Sequence, residues 1–320
     1  MHAEGAPRPR VVDLTNTPPA ALEDLWQHQA GWWRAQLLWD ISDALAALRR
    51  VVERRGVPGK AVQIGLRTVG YTAYMIGERL GEIADLCVLP EWSYPEVGEP
   101  LLRETIAAMR QQGVLRIEKL TPGLDDPWLI PAFEHEGFQS YWRDFLRLDL
   151  CHAPALPSPQ PLMHLEPWQG HQLHAAAVIM QAAYAGSVDA EINALYRTAA
   201  GCQLVLDNLL NQGGCGRLIP DASALLRHRG QGIGFIVVTE IAPRQSHLVQ
   251  VVVWPGYQRR GVGRWLIHYS MSRLAALHYE TLSLIVSRAN APALAMYQAL
   301  GWHSVLAFPV FVWKRQKGNS

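Results

Sequence analysis

The sequence has few of the features that mark secreted, membrane and metal-binding proteins. Its 320 residues include only four cysteines, and their spacing fits neither a disulfide framework nor a Cys-x-x-Cys metal site. No apolar run approaches the roughly 20 residues that a membrane helix needs. The segment from Met1 to Arg10 contains no apolar core of a secretory signal. We therefore expect a cytoplasmic protein with no membrane partner.

Charge of one sign is not in excess either. Lysine and arginine total 29 against 28 acidic residues, which leaves a net charge of +1. A chain without a dominant field has little attraction for nucleic acid or for anionic lipid. No nucleic-acid partner is expected, although a few backbone amides could still form a local anion site.

Two short patterns that suggest a reactive site lack a necessary partner. His171 and His174 lie three residues apart on a predicted helix, but no third ligand is evident, so we expect no metal. Cys215 lies in a glycine-rich stretch without an adjacent base to activate its thiol. This stretch is interpreted as a turn.

A proline-rich segment divides the chain into halves of similar length. Residues 151–161 read CHAPALPSPQP, with four prolines that exclude a helix or an internal strand. A chain of this length usually forms two domains. We expect one domain over residues 1–150, a linker over 151–161 and a second domain over 162–320.

The two halves follow one plan. In each, an apolar strand ending in proline precedes a loop, a helix, a strand, a second helix, a glycine followed by an aromatic residue, and a long final strand. Gly137 and Gly301 occupy matching places. Ile233–Ile241 and His247–Trp254 are typical of an antiparallel hairpin, and the apolar spacing predicts a helix from Arg264 to about His278. The expected fold is α/β (α+β), with a mixed, mainly antiparallel twisted sheet flanked by helices in each half.

The loop after the hairpin has the composition of an anion site. It reads Gly-Tyr-Gln-Arg-Arg-Gly-Val-Gly-Arg over residues 256–264 and leads directly into the predicted helix. Unpaired amides at a helix N-terminus attract a diphosphate, and glycine lets the backbone approach it closely. It is not a P-loop, because no Gly-Lys-Ser/Thr follows, and it lacks the third glycine of a dinucleotide fingerprint.

Two motifs in order resemble those of the GNAT superfamily, the acyl-CoA-dependent N-acetyltransferases. Gln258 to Gly263 matches Q/R-x-x-G-x-G/A, and Asn290 to Trp302 is similar to N-x-x-A-x-x-x-Y-x-x-x-G-F/W. The resemblance covers about residues 161–315. Residues 10–150 resemble the same fold, but prolines and glutamates replace part of the loop motif. Pro100 has no N–H to donate, and Glu96 and Glu99 would repel phosphate, so we expect no ordinary acyl-CoA binding in the N-terminal half.

The resemblance implies where acetyl-CoA, the expected co-substrate, would bind. The loop would hold its diphosphate, the preceding strand would bind the pantetheine arm and polarise the thioester, and Asn290 would contact the same arm. Tyr297 would donate a proton to the departing thiolate. The implied cofactor-binding residues are Val251, Val252, Val253, Gln258, Arg259, Arg260, Gly261, Val262, Gly263, Arg264 and Asn290.

The general base and the acceptor site are less specified. Many family members carry a glutamate on the strand before the loop, but Gln250 stands there; it cannot act as a base, and we expect it to bind substrate. His247 titrates in the right range, Glu240 could act through water, and an amine that arrives neutral would need neither. The resemblance places acceptor recognition on two helices, predicted over about Trp168–Tyr184 and Ala190–Leu210. Asp189 and Glu191 could attract a cationic amine there, and Asp189 could instead cap the second helix.

These features predict an acyltransferase. The expected reaction moves an acetyl (acyl) group from acetyl-CoA to a primary amine of a small molecule or peptide, in a monomer or homodimer, with the N-terminal half as a structural partner. One alternative is a non-catalytic acyl-CoA-binding or sensing protein, which the missing strand glutamate favours. A second is aminoacyl transfer from charged tRNA, against which the near-neutral charge argues.

Overall fold

A computed structural model describes residues 8–123, 126–152, 162–211 and 214–316. The helices are α1 (Glu23–Leu37), α2 (Ser42–Glu53), α3 (Pro95–Gln111), α4 (Leu129–His135), α5 (Leu173–Tyr184), α6 (Val188–Ile192), α7 (Ala199–Asn211), α8 (Val262–Ala276) and α9 (Ala291–Ala299). The strands are β1 (Arg10–Asp13), β2 (Gly59–Ile64), β3 (Arg67–Ile76), β4 (Leu80–Val88), β5 (Arg116–Lys119), β6 (Gln139–Asp149), β7 (Met163–Pro167), β8 (Arg217–Leu218), β9 (Ala224–His228), β10 (Gln231–Ala242), β11 (Gln245–Val253), β12 (Thr281–Ser287) and β13 (His303–Lys314). Within these ranges, no helix is both long enough and apolar enough to span a bilayer.

The chain forms two compact units. The N-terminal unit comprises residues up to Ala35, Ile41–Trp142 and the chain from Phe308 onward, and the C-terminal unit comprises Gln36–Asp40 and Arg143–Ala307. Each unit takes its last strand from the other half of the sequence. The division therefore differs from a cut at residue 150. Of the proline-rich segment proposed as a linker, residues 153–161 lie outside the described residues.

The sheet of the C-terminal unit places the two motif segments beside each other. Its strands run in the order β6, β12, β11, β10, β9 and β7. The predicted hairpin is present, since β10 and β11 pair antiparallel from Gly234–Val253 to Ala242–Gln245. Strand β12 pairs parallel with β11 on one side and antiparallel with β6 on the other.

The sheet of the N-terminal unit repeats this order. Strands β1, β2, β3 and β4 are antiparallel neighbours, β4 pairs parallel with β5, and β5 pairs antiparallel with the end of β13. The expected fold class, a mixed and mainly antiparallel sheet with flanking helices in each half, is confirmed.

The helices follow the predicted periodicity with one exception. On α8, Leu266, Ile267 and Leu274 are completely buried in the core of the C-terminal unit. The single helix predicted over Ala190–Leu210 is wrong, because α6 ends at Ile192 and α7 begins at Ala199. Asn193 is extended and its side chain accepts a hydrogen bond from the Leu195 N–H, which starts a separate short turn between them.

The last strand of the chain is part of the N-terminal core. Phe311 is 1% exposed, and its ring stacks on Phe133 with centroids 3.9 Å apart. Burial of two aromatic rings in one stack is a large apolar contribution to stability. The N-terminal unit therefore depends on residues that the chain supplies last.

We predict that Phe311→Ala destabilises the N-terminal unit by about 3–5 kcal/mol, the usual cost of removing a buried aromatic ring. Hydrogen exchange measured by mass spectrometry should show faster exchange in β2 to β5 while β9 to β12 keep their protection. Leu306→Ala, on the same strand but half-buried in the C-terminal unit, is the control. Unchanged protection of β2 to β5 in Phe311→Ala would show that Phe311 does not stabilise the N-terminal unit.

Candidate functional site

The C-terminal unit opens where β11 and β12 separate. Their pairing runs from Gln245–Thr281 to Leu248–Leu284. Beyond it, β12 continues along β6 and β11 continues along β10. Val249 is an extra residue in β11, because Gln250 pairs with Val237 whereas Leu248 pairs with Val238. Such a bulge bends a strand and increases its local twist, which accompanies the separation.

A cavity of about 870 Å³ occupies this separation. It extends from the β11–α8 loop at one end to α6 at the other. A cavity of this size is within the range that binds a cofactor or drug-sized ligand. Its lining includes Arg143, Tyr184, Asp189, Tyr196, His247, Gln250, Val251, Val252, Val253, Gln258, Arg259, Gly261, Gly263, Arg264, Ser287, Asn290 and Tyr297.

The loop at the mouth of the cavity has the backbone of an anion site. Gly261 has φ +81° and precedes the first residue of α8, a left-handed conformation that favours glycine. A Cβ on Gly261 would meet nothing within 4 Å, and one on Gly263 would only touch Val253 at 3.7 Å. The Gln258 amide donates to the Val253 carbonyl at 3.0 Å and ties the loop to β11. The first amides of α8, which have no intrahelical acceptor, therefore lie at an open edge.

Most of the predicted cofactor residues line the cavity, and three have a different or additional role. Arg260 does not line it and instead lies 5.9 Å from the ring centroid of Tyr257. Val262 is 2% exposed and packs in the core. Asn290 does line the cavity, and its side-chain oxygen also accepts from the Ala293 N–H at the start of α9.

Tyr297 lines the cavity. It is on α9, buried to 7% exposure, with its ring edge-on to Trp302 at 5.6 Å. Burial and the nearby charge of Asp189 raise the pKa of the Tyr297 phenol. The hydroxyl therefore stays protonated and able to donate a hydrogen bond throughout the neutral range.

The two residues predicted as general bases are poorly placed for that role. His247 lies between the rings of Trp39 and Phe145, bonded to the Ser283 hydroxyl at 2.9 Å. Burial lowers the pKa of His247 to about 3, so its affinity for a proton is too low to deprotonate an ammonium near neutral pH. Glu240 does not line the cavity and is ion-paired with Arg217.

The predicted acceptor residues separate into two places. Asp189 lines the cavity, accepts a hydrogen bond from the Ser287 hydroxyl at 2.5 Å and lies 3.5 Å from the Arg143 guanidinium. Glu191 is outside, ion-paired with Arg197 at 3.2 Å. The cap of α6 is Ser187, whose side chain accepts from the Ala190 N–H, so the interpretation of Asp189 as the cap is wrong.

Gln250 is held by two tyrosines. The Tyr184 hydroxyl donates to its side-chain oxygen at 2.8 Å, and its side-chain nitrogen donates to the Tyr196 hydroxyl at 3.3 Å. The two tyrosine rings stack with centroids 4.7 Å apart. Both ends of the amide are therefore engaged, and Gln250 is fixed in the wall of the cavity.

Sequence reasoning missed Arg143 and Ser287. They are register partners on β6 and β12, and both contact Asp189. Arg143 comes from the other half of the sequence, so no local motif could have indicated it. Cys215 also lines the cavity, but burial raises the pKa of its thiol to about 12, which agrees with its interpretation as unreactive.

The corresponding turn of the N-terminal unit is closed. Helix α3 begins at Pro95, so the prolines and glutamates that stand in place of the loop motif belong to a helix. The amides of Val97 and Gly98 donate to the Tyr94 carbonyl at 3.0 Å. A Cβ on Gly98 would collide with the ring of Trp128, which packs directly against it. This packing closes the turn around Gly98, and the absence of ordinary acyl-CoA binding in the N-terminal half stays a prediction.

The model of the acetyltransferase (GNAT) family matches residues 205–302, which run from α7 to the start of β13. A [ribosomal protein bS18]-alanine N-acetyltransferase of Salmonella typhimurium is 35% identical over 66 residues, 21% of this chain and 45% of that protein. The chain thus spans less than half the length of the curated relatives it matches.

Solved structures extend the likeness to both units. A GCN5-related N-acetyltransferase from Sphaerobacter thermophilus has a TM-score of 0.70 at 13% identity, covering 96% of each chain. A tandem GNAT protein from the clavulanic acid biosynthesis pathway has a TM-score of 0.61 at 15% identity, covering 98% of this chain and 100% of that one. At these identities the comparison shows the fold, and it shows that fold in the N-terminal region too.

We predict that His247 makes the protein less stable as the pH falls below 6.5. The pKa of this residue is about 3 when folded, against an ordinary value of 6.5. The unfolded chain therefore binds the extra proton between these values, and the free energy of unfolding falls by up to about 1.4 kcal/mol per pH unit. Denaturant melts of His247→Gln over this range should show a shallower pH dependence than the wild type, whereas His303→Gln at an exposed position should not. Equal slopes for the wild type and His247→Gln would refute the assignment.

Proposed function

We propose that the C-terminal unit transfers an acetyl group from acetyl-CoA to a primary amine of a small molecule or peptide, by direct attack while both are bound. The observation that supports this most is the continuity of one cavity from the N-terminus of α8, past Tyr297, to Asp189. The anion site, the proton donor and the carboxylate would then face, respectively, the diphosphate, the thioester and the amine of the two bound substrates. We also propose that the protein acts in the cytoplasm.

The residues present fit acetyl-CoA. The space around Gly261 and Gly263 admits a diphosphate beside the first amides of α8, and Arg259 and Arg264 line the same end with positive charge. The edge of β11 beyond Leu248 is released from β12, so its main-chain groups are available to the pantetheine arm. Acetyl-CoA supplies an acyl group already activated as a thioester.

The protein's own groups would position the two substrates and stabilise the charge that develops during the reaction, and none of them would bond covalently to the acyl group. Holding the amine and the thioester together removes much of the entropic barrier, and main-chain amides of β11 would stabilise charge that develops on the carbonyl oxygen. The Tyr297 hydroxyl would donate to the departing sulfur. Asp189, the only carboxylate among the described lining residues, would hold the incoming ammonium, which would give one proton to solvent before the neutral amine attacks the thioester carbonyl. The new C–N bond would replace the C–S bond, Tyr297 would protonate the sulfur, and the second proton lost from the nitrogen would restore the tyrosine.

The proposal is tested by release of free CoA thiol from acetyl-CoA with a panel of amines, including peptides with N-terminal alanine, the residue named for the bacterial relatives. We expect turnover with at least one amine class, saturable in both substrates. Calorimetric binding of acetyl-CoA without any thiol release would instead favour a sensing protein. Salt-dependent binding of tRNA, with transfer from aminoacyl-tRNA, would favour the alternative of aminoacyl transfer.

We predict that Gly263→Val weakens acetyl-CoA binding at least ten-fold without changing the melting temperature. The added side chain has room in the unliganded protein but would occupy the place of the diphosphate. Titration calorimetry and a thermal melt measure the two effects. Gly256→Val, in the same loop but outside the cavity lining, is the matched control, and equal affinities for the two variants would place the diphosphate elsewhere.

We predict that Tyr297→Phe lowers kcat by roughly 10²-fold, the lower end of the range for loss of a general acid, with little change in the KM for acetyl-CoA. Because the pKa of the phenol is raised, wild-type kcat should show no decline from its ionisation below pH 10. Steady-state rates across pH measure both effects. Tyr269→Phe, whose hydroxyl bonds the Asp221 carbonyl outside the cavity, should retain full activity. If Tyr297→Phe does as well, Tyr297 is not the proton donor.

A further inference from the structure

The α6 end of the cavity holds two opposite charges side by side. Asp189 on α6 and Arg143 on β6 are each 14% exposed, with 3.5 Å between the carboxylate Oδ1 and the guanidinium Nη2. Ser287, directly opposite Arg143 in the sheet, donates to the same carboxylate oxygen. The position of Asp189 is thus fixed by hydrogen bonding from β12, and Arg143 lies beside it.

The ion pair of Arg143 with Asp189 is a long one, and it does not engage the Arg143 Nε. Charge-assisted N–H···O bonds are commonly about 2.7–2.9 Å long, so the observed pair is loose. The Arg143 Nε is buried and finds no hydrogen-bond partner among the residues that the structure describes. A guanidinium carries five N–H donors in a planar fork that matches a carboxylate. A largely desolvated arginine in this state gains from a second anion.

The remaining polar groups at this end do not supply that anion. The Tyr184 and Tyr196 hydroxyls are engaged with Gln250. Asp144, adjacent to Arg143 on β6, accepts a bidentate pair from Arg288, Nε to Oδ2 and Nη2 to Oδ1. An anion brought by a ligand is the complement that the cavity lacks.

The same end of the cavity is close to the proposed chemistry. The charge of Asp189 raises the pKa of Tyr297, which places the two side chains within electrostatic reach. An ammonium bound at Asp189 is therefore near the proposed proton donor, and a negative group on the same molecule would meet Arg143.

We infer that the acceptor is a zwitterion of the α-amino-acid type, with its ammonium on Asp189 and its carboxylate on Arg143. The two protein charges are adjacent, and so are the two charges of an amino acid. On binding, the single pair between Asp189 and Arg143 would be replaced by two pairs, ammonium with Asp189 and carboxylate with Arg143, so no buried charge is left unpaired. An amine without a carboxylate would satisfy Asp189 but draw it away from Arg143. This inference rests on the proposed function for its chemistry, while its binding claim can be tested separately.

The first test measures binding rather than turnover. Titration calorimetry on the protein saturated with CoA would use the common L-amino acids, each with its carboxamide and its decarboxylated amine. We expect at least one amino acid to bind ten-fold or more tightly than both of its matched analogues. Arg143→Gln should remove that preference, and Arg143→Lys should restore part of it. Arg288→Gln, which breaks an arginine–aspartate pair outside the cavity lining, should leave the preference intact.

The second test uses thiol release with the same compounds. Loss of Arg143 should raise the KM for the amino acid and leave kcat/KM for the decarboxylated amine unchanged within two-fold. Equal losses for all acceptors would mean that Arg143 only positions Asp189, and would overturn the inference. Binding or turnover of carboxamides and peptides as good as that of amino acids in the wild type would also overturn it, whether or not Arg143→Gln folds. Preferential binding of an amino acid with no thiol release from any compound would refute the proposed function alone.

Discussion

The parting of β11 from β12 after Leu248 is the constraint on which the rest of the C-terminal unit depends. Backbone groups inside a protein need hydrogen-bond partners, and a strand edge released within a sheet exposes a row of them. Here the released edge faces a cavity that also contains the end of α8 and Tyr297. Strand β11 carries the bulge at Val249, forms one wall of the cavity and runs directly into the glycine loop. The direction that β11 takes after Leu248 therefore positions both the cavity wall and the candidate anion site.

The electrostatics of the cavity favour positioning over proton abstraction. His247 is buried among aromatic rings, with its pKa lowered to about 3, and both ends of the Gln250 side chain are bonded to tyrosines. Asp189 is the carboxylate left inside, held by a serine and an arginine. The site therefore has fixed dipoles and one anchored negative charge, which in the proposed reaction would orient a cationic acceptor and stabilise charge on a thioester carbonyl.

The two units share a strand order but differ at the turn that follows β4 in the N-terminal unit and β11 in the C-terminal unit. In the C-terminal unit that turn is open around Gly261 and Gly263. In the N-terminal unit, Pro95 and Pro100 remove donors and Trp128 packs on Gly98. The same backbone plan thus supports a cavity in one unit and a closed core in the other. Each unit also requires a strand from the far half of the sequence, so neither sequence half is a complete folding unit.

The sequence by itself determined the fold class, the hairpin before the loop and the presence of α8, whose start was predicted two residues late, at Arg264 instead of Val262. These features follow from local apolar periodicity and from glycine and proline, whose backbone effects are local. The two spaced motifs also located the loop and Tyr297. Only the tertiary structure decided which charged residues meet in the cavity. Asp189 and Glu191 are two residues apart, yet one points inward and the other pairs with Arg197 outside. Arg143 joins the site from the other half of the chain because its strand pairs with β12. His247 is packed against Trp39 and Phe145, contacts between residues distant in sequence that no local pattern encodes.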